Sequence, residues 1–215
     1  MTDGRIVAAR ARRETTHRKL VEAAGAAFAS IGYAGTSPDG IARDAGVTRA
    51  TFYLHFPTKA AVFKAVLDAL VARLSEAVQG VDLTEEAATP AAQLTGNLLR
   101  VLDVLLEDRG LARVLLVEAP GKEPAVDADL DVFFSHVRGM IREALTDGRP
   151  VGLVRPLDVD VCAHALLGAV QGVMVGRLVR DPRPLGVRAR RELAREILTF
   201  ALCGVGEPGL RDAIG

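Results

Sequence analysis

The sequence predicts an all-α protein of about nine helices, a small N-terminal domain followed by a larger one. Three observations carry this. Apolar residues recur at helical spacing along the whole chain, and two-residue alternation is absent. Glycine and proline fall at the ends of those runs, and several runs begin at a serine or threonine able to cap a helix. With 215 residues, 49% of them apolar and 25% charged, the chain can bury a good core.

Residues 1–15 hold Arg5, Arg10, Arg12 and Arg13 with little apolar content, which predicts a flexible basic arm. Residues 16–31 predict the first helix, striped by Leu20, Ala24, Ala27, Phe28 and Ile31 and ended by Gly32. Ser37 can cap a second helix with Pro38 in its first turn and Ile41, Ala42 and Ala45 on one face. Gly46 supplies a left-handed turn and Val47 an apolar plug, and Thr48 can cap a third helix. Phe52 and Phe56, four apart, give that helix its buried face. Arg49, Thr51, Tyr53 and His55 are then expected to point outward. A guanidinium, a hydroxyl, a phenol and an imidazole on a short exposed helix suit the major groove of DNA, and the same pattern fits an ordinary helical hairpin with a polar face. Thr36 and Ser37, beside free backbone amides, make a natural phosphate contact.

Pro57 breaks the chain, and Thr58 can cap a connecting helix over about 59–78. The acidic stretch VDLTEEAAT marks a junction, so 16–60 and 61–215 are the expected domains. Thr89-Pro90 opens a fifth helix, reaching about Glu107 on Leu94, Leu98, Val101, Leu102 and Leu105. A short helix over 111–118 ends at Ala119-Pro120-Gly121. Further helices are expected over 125–146, 157–180 and 187–203, with Pro182, Pro184 and Pro208 as breaks.

Formal charge is zero but unevenly spread. Nine Lys/Arg face five Asp/Glu through residue 60, and eighteen face twenty-two beyond it. A basic N-terminal segment on an acidic body is the asymmetry of a nucleic-acid-binding head. Cys162 and Cys203 have no zinc or CxxC spacing and predict buried free thiols in a reducing cytosol. The N-terminal residues lack the continuous apolar core of a signal peptide, so none is expected. Residues 161–176 are apolar but short for a membrane span and predict a buried helix, so the expected location is the cytoplasm. No catalytic residues, cofactor motif or metal set are expected. There is no nucleophile elbow, phosphate-binding glycine loop or HExxH, and Cys162 and His164 face different ways. Asp160 and His164 share a helix face, as a hydrogen-bonded pair or a metal-assisted ligand contact.

The segments AAGAAFASIGYAGTS (23–37), IARDAGVT (41–48), TFYLHF (51–56) and PTK (57–59) resemble the DNA-binding domain of the TetR family of bacterial transcriptional repressors. Ala60 and Ala61 depart from its pattern where an acidic residue is usual, and Leu54 stands at an often polar position. The resemblance implies a homodimeric repressor on a palindromic double-stranded DNA operator, released by a small-molecule effector. Arg49 and Thr51 would read base edges, while Thr36, Ser37, Thr48, Tyr53, His55 and Lys59 would hold phosphates. It also implies an effector pocket, for which Asn97, Leu98, Leu102, Phe133, Phe134, Val137, Met140 and Gln171 are candidates, although each apolar one also fits plain core. Four per cent aromatics and no Trp argue against an aromatic cage. Gly168, Gly172 and Gly176, with Ala165 beside them, invite close approach of another helix, from the same chain or a partner; the resemblance assigns them, with Leu193 and Ile197, to a dimer interface. The other reading of the hairpin is a protein-interaction module.

Overall fold

Nine helices make up the regular structure of the described residues, and no strand occurs among them. The computed structural model describes residues 3–84, 88–179 and 185–205, excluding the side chains of 3–5, 178, 179 and 205. The breaks expected at Pro182, Pro184 and Pro208, Glu85 and Glu86 of the acidic junction, and the Arg5 side chain lie outside that description. The helices are α1 (Asp3–Gly35), α2 (Pro38–Asp44), α3 (Arg49–His55), α4 (Lys59–Ala77), α5 (Pro90–Glu107), α6 (Arg109–Arg113), α7 (Pro124–Gly148), α8 (Val159–Val173) and α9 (Val187–Val205). Two widen into π-helical turns: α6 continues as Val114–Glu118 and α8 as Met174–Val179.

The chain divides into two compact units. One comprises residues up to Leu70 with Gly110–Asp131, the other Val71–Arg109 with the residues from Val132 onward. A boundary near residue 60 was expected, with everything beyond it in one domain. Instead 61–70 and 110–131 belong with the N-terminal helices. The first unit closes on Leu20, Ala24 and Phe28 of α1, Ile41 of α2, Phe52 of α3, and Val62, Phe63 and Leu67 of α4, all essentially buried. Its centre is aromatic. The Phe28 ring stacks on Tyr33 at 5.5 Å, and Phe63 meets both edge-on at 5.2 and 5.1 Å. The α6–α7 segment joins this core through local chemistry. Gly110 lies so close to α1 that a Cβ there would sit 2.2 Å from the Ala29 carbonyl oxygen. The Tyr33 hydroxyl donates to Glu123 at 3.1 Å. Neither contact leaves a mark in apolar periodicity.

Two further expectations for this unit change. Residues 3–15, expected as a flexible arm, continue α1, because Ala8, Arg10, Ala11, Arg12 and Arg13 are among the better helix formers. Their side chains from residue 6 onward are exposed. Ile31 is 59% exposed instead of completing the α1 stripe. The helical path breaks immediately after it, at Gly32, with φ of +75°.

In the second unit, α5 packs against α9 and α8 against α9. Thr89 caps α5 by accepting from the Ala92 amide at 3.3 Å. Gln93 and Asn97 bond the backbone of Asp82, Ala88 and Gln79 among the described residues before it. Leu145 and Ala163 centre a cluster with Ile141, Val154, Leu157 and Leu166. Both cysteines are free as expected, but neither is buried: Cys162 is half-buried and Cys203 exposed.

Candidate nucleic-acid interface

The α2–α3 hairpin is fixed by backbone chemistry before any core residue acts. Ser37 caps α2, its hydroxyl oxygen accepting from the Gly40 amide at 3.2 Å. The C-terminus closes with two reversed hydrogen bonds, Gly46 N–H to Arg43 at 3.0 Å and Val47 N–H to Ala42 at 2.9 Å. That arrangement requires a left-handed residue, and Gly46 has φ of +69°. Thr48 then caps α3, accepting from the Thr51 amide at 3.1 Å. Phe52 is fully buried and Phe56 nearly so, and these two fix which side of α3 faces solvent.

That solvent side is not quite the expected one. The exposed residues of α3 are Arg49, Ala50, Tyr53 and Leu54, two from each of two turns. Thr51 and His55 are half-buried. A seven-residue helix holding Phe52 inward rotates its neighbours at 51 and 55 toward the flanks. The Thr51 hydroxyl lies 2.9 Å from that of Thr48 and serves the cap. His55 meets α1, its ring 6.0 Å from His17, which in turn packs on Phe56 at 4.8 Å. Burial first, then His17 and Arg13, lower the His55 pKa from its ordinary value. Arg49 pairs with Asp39 of α2 at 3.0 Å and lies 5.6 Å over the Tyr53 ring.

The corner between α1 and α2 supports the hairpin from behind. Thr36, expected at a phosphate, is 4% exposed, and its hydroxyl donates to the Gly32 carbonyl at 2.8 Å. A buried hydroxyl with an internal partner is a tie across the kink and leaves Thr36 no surface for a phosphate, whereas Ser37, expected beside it, is exposed. Lys59 donates to the Tyr33 carbonyl at 2.9 Å with its ammonium 4.2 Å over the Tyr33 ring. It is half-buried and keeps N–H donors beyond that bond. Burial, then Glu123 and Asp129, push the Tyr33 phenol above its ordinary pKa, so it stays a neutral donor. Sequence reasoning missed Asp39 and His17. A carboxylate ten residues before an arginine carries no periodic signal, and His17 is on a different helix from its aromatic partners.

The residues proposed for an effector scatter in their environments. Leu102 and Phe133 are buried core. Asn97 spends its amide on the backbone of Gln79 and accepts from Arg100. Leu98, Phe134, Val137, Met140 and Gln171 are half-buried, with Phe134 edge-on to Phe133 at 5.1 Å. A groove of about 560 Å³ lies elsewhere in the same unit, lined by Arg73, Glu76, Arg100, Asp103, Glu107 and Arg190 among others, and includes none of the eight. Ion pairs Arg73–Glu107 and Arg190–Asp103 join residues of its lining, beside the apolar Ala77, Val104 and Leu106. The Asp160–His164 side-chain pair does not form. His164 Nδ1 is 2.8 Å from the Asp160 backbone carbonyl, and the Asp160 carboxylate lies 4.0 Å from Arg142.

Helix α8 was expected to be buried; it is not. Val159–Arg177 is long and apolar enough to cross a membrane by length and composition, and only 17% of its most apolar stretch is buried within the chain. Val161, Ala165, Gly168, Gly172 and Gly176 are all exposed, and a Cβ on any of the three glycines would meet nothing within 4 Å. Leu193 and Ile197 of α9 are half-buried.

Comparison with known proteins agrees with this geometry. Residues 13–66, spanning the capped hairpin, match the family described as bacterial regulatory proteins, tetR family. The HTH-type transcriptional regulator SrpR of Pseudomonas putida is 27% identical over 202 residues, covering 88% of this chain and 83% of that one. The nucleoid occlusion factor SlmA of Shewanella frigidimarina is 31% identical over 152 residues, covering 66% and 71%. Among solved structures, the SmeT–triclosan complex superposes with a TM-score of 0.69 at 24% identity, covering 91% of this chain and 93% of that one. The chain belongs to the TetR family of bacterial regulatory proteins and is a DNA-binding transcriptional regulator.

Proposed function

We propose that the protein is a repressor that binds a palindromic operator as a homodimer and leaves it when a small molecule binds. The observation that carries the reading is α3: a capped, rigidly backed helix whose free face holds Arg49 and Tyr53. Arg49 reads a guanine edge, the favoured specific pairing for arginine. Ser37, Thr48, Tyr53, His55 and Lys59 approach phosphates and set register; these contacts position without specifying. The Asp39 carboxylate holds the guanidinium ready in the free protein, an exposed pair of little energetic weight that gives way to a base.

Two recognition helices require two chains. The uncovered face of α8, with three glycines that clash with nothing in their own chain, supports a second copy packed there, together with Leu193 and Ile197 of α9. Two-fold symmetry then matches two half-sites. Effector release is supported by the relation to SmeT, described in complex with triclosan. In this chain the half-buried Leu98, Phe134, Val137, Met140 and Gln171 are the residues with surface left to offer a ligand. Driving the dimer from almost wholly competent to almost wholly incompetent takes about 5.5 kcal/mol of differential affinity across both pockets.

The test is binding of purified protein to DNA flanking its own coding region, at two salt concentrations, against random competitor. Salt-sensitive, sequence-selective binding with a palindromic footprint is expected. Should neither that DNA nor a genome-wide fragment selection yield a preferred sequence, the reading fails and the hairpin is a protein-interaction module instead.

A further inference from the structure

The face that α3 turns to solvent is half apolar. Arg49 and Tyr53 share it with Ala50 and Leu54, and Leu54 is 77% exposed, more than any other large apolar side chain among the described residues whose exposure is high. Such a leucine contributes little to the fold, because its surface is as wet in the native state as in the unfolded chain. Its worth lies in what covers it.

The setting limits the occupant. A partner protein that seats a helix in a groove needs apolar anchors over two or more turns. Here the apolar stripe is Ala50 and Leu54 alone, after which the helix ends at His55 and Pro57 follows. The surroundings are polar: Arg43 and Arg49, in exposed pairs with Asp44 and Asp39, share the hairpin with the caps Ser37 and Thr48, and such exposed pairs are weak enough to give way to phosphates and base edges. In the major groove the base edges present one apolar group, the C5-methyl of thymine.

We propose that Leu54 closes on the 5-methyl group of a thymine in each half-site, so that one operator position is chosen by an apolar contact. This rests on the reading of α3 as the helix that reads DNA. Ala50, one turn earlier on the same face, is small enough to let the base edge approach. Arg49 and Leu54 are five residues apart, about 7.5 Å along a helix, which places the thymine roughly two base pairs from the guanine read by Arg49.

The experiment starts from the sequence that the full-length protein selects out of random duplex DNA. Each thymine is then replaced in turn by deoxyuridine, which removes the methyl and keeps every hydrogen-bonding group. Affinity should fall about fourfold at one thymine per half-site, the equivalent of ~0.8 kcal/mol for one buried methyl-sized group. Leu54→Ala should bind thymine and uracil there equally while unfolding at the wild-type temperature, and Leu54→Met should keep the preference. Indifference to uracil at every position overturns the proposal, as does an unchanged thymine-to-uracil ratio in Leu54→Ala. A selection that returns no preferred sequence removes base reading by α3 altogether, and this contact with it. A selected sequence indifferent to uracil removes only the contact.

Discussion

Arg49 and Lys59 each serve two neighbours, and their substitutions should separate reading from positioning. Arg49 pairs with Asp39 and covers Tyr53, all near the surface, so its loss should leave stability nearly unchanged. Arg49→Ala is expected to cost roughly 1–3 kcal/mol of operator affinity and relax one base position, measured against single-base operator variants; a loss equal for all sequences would assign it to phosphate. Lys59 bonds the Tyr33 carbonyl inside the α1–α2 corner. Lys59→Met should therefore lower unfolding free energy by about 1 kcal/mol as well as weaken DNA uniformly, with a salt slope shallower by about one unit per half-site. His55 adds a pH dependence. Its folded pKa is lowered, so the unfolded chain binds its proton more readily, and the stability it contributes is full above about pH 6.5 and lost as pH falls through the folded value. Denaturant titrations at pH 7.5 and 5 should show that loss. It should be smaller in His17→Gln, which removes the second cause but not the burial.

At the scale of elements, what the sequence made legible and what it hid divide along a physical line. Caps and turns were legible because they depend on residue type at fixed offsets: Ser37, Gly46, Thr48 and Thr89 all act where their chemistry placed them. Burial of Phe52 and Phe56 was legible from their four-residue spacing. The rotation of α3 was not, because seven residues contain too few apolar positions to distinguish Thr51 and His55 from Ala50 and Leu54. The fate of polar groups was hidden as well. Thr36 turned to the carbonyl four residues before it, and Asn97 and Asp160 found partners eighteen residues away, on the backbone of Gln79 and the side chain of Arg142, that no spacing predicts. Close backbone approach was equally silent in Gly110, which reads as an ordinary residue after Arg109. Gly110→Ala should be costly, since a Cβ would strike the Ala29 backbone and no flexible side chain can yield. A loss of about 1–3 kcal/mol is expected from thermal or urea unfolding, and wild-type stability would mean α6 can slide without penalty.

The whole molecule is set by two surfaces, one filled and one open. The open one is α8. A side chain at Gly172 meets nothing in its own chain, so Gly172→Leu should leave the protomer folded while sedimentation shifts from dimer toward monomer and operator affinity collapses. An unaltered dimer would place the interface elsewhere. The filled surface is where 110–131 joins the N-terminal helices through Gly110 at Ala29 and Glu123 at Tyr33. That arrangement bears on the order of events during synthesis. A DNA-reading head made only of its first three helices could close as soon as residue 60 cleared the ribosome. In this chain the α1–α2 corner waits for partners some ninety positions later, as the Tyr33–Glu123 bond requires. A nascent chain cut short before the seventh helix lacks part of its own head, so competence to occupy DNA comes only after the first stretch of the other unit, Val71–Arg109, has been made.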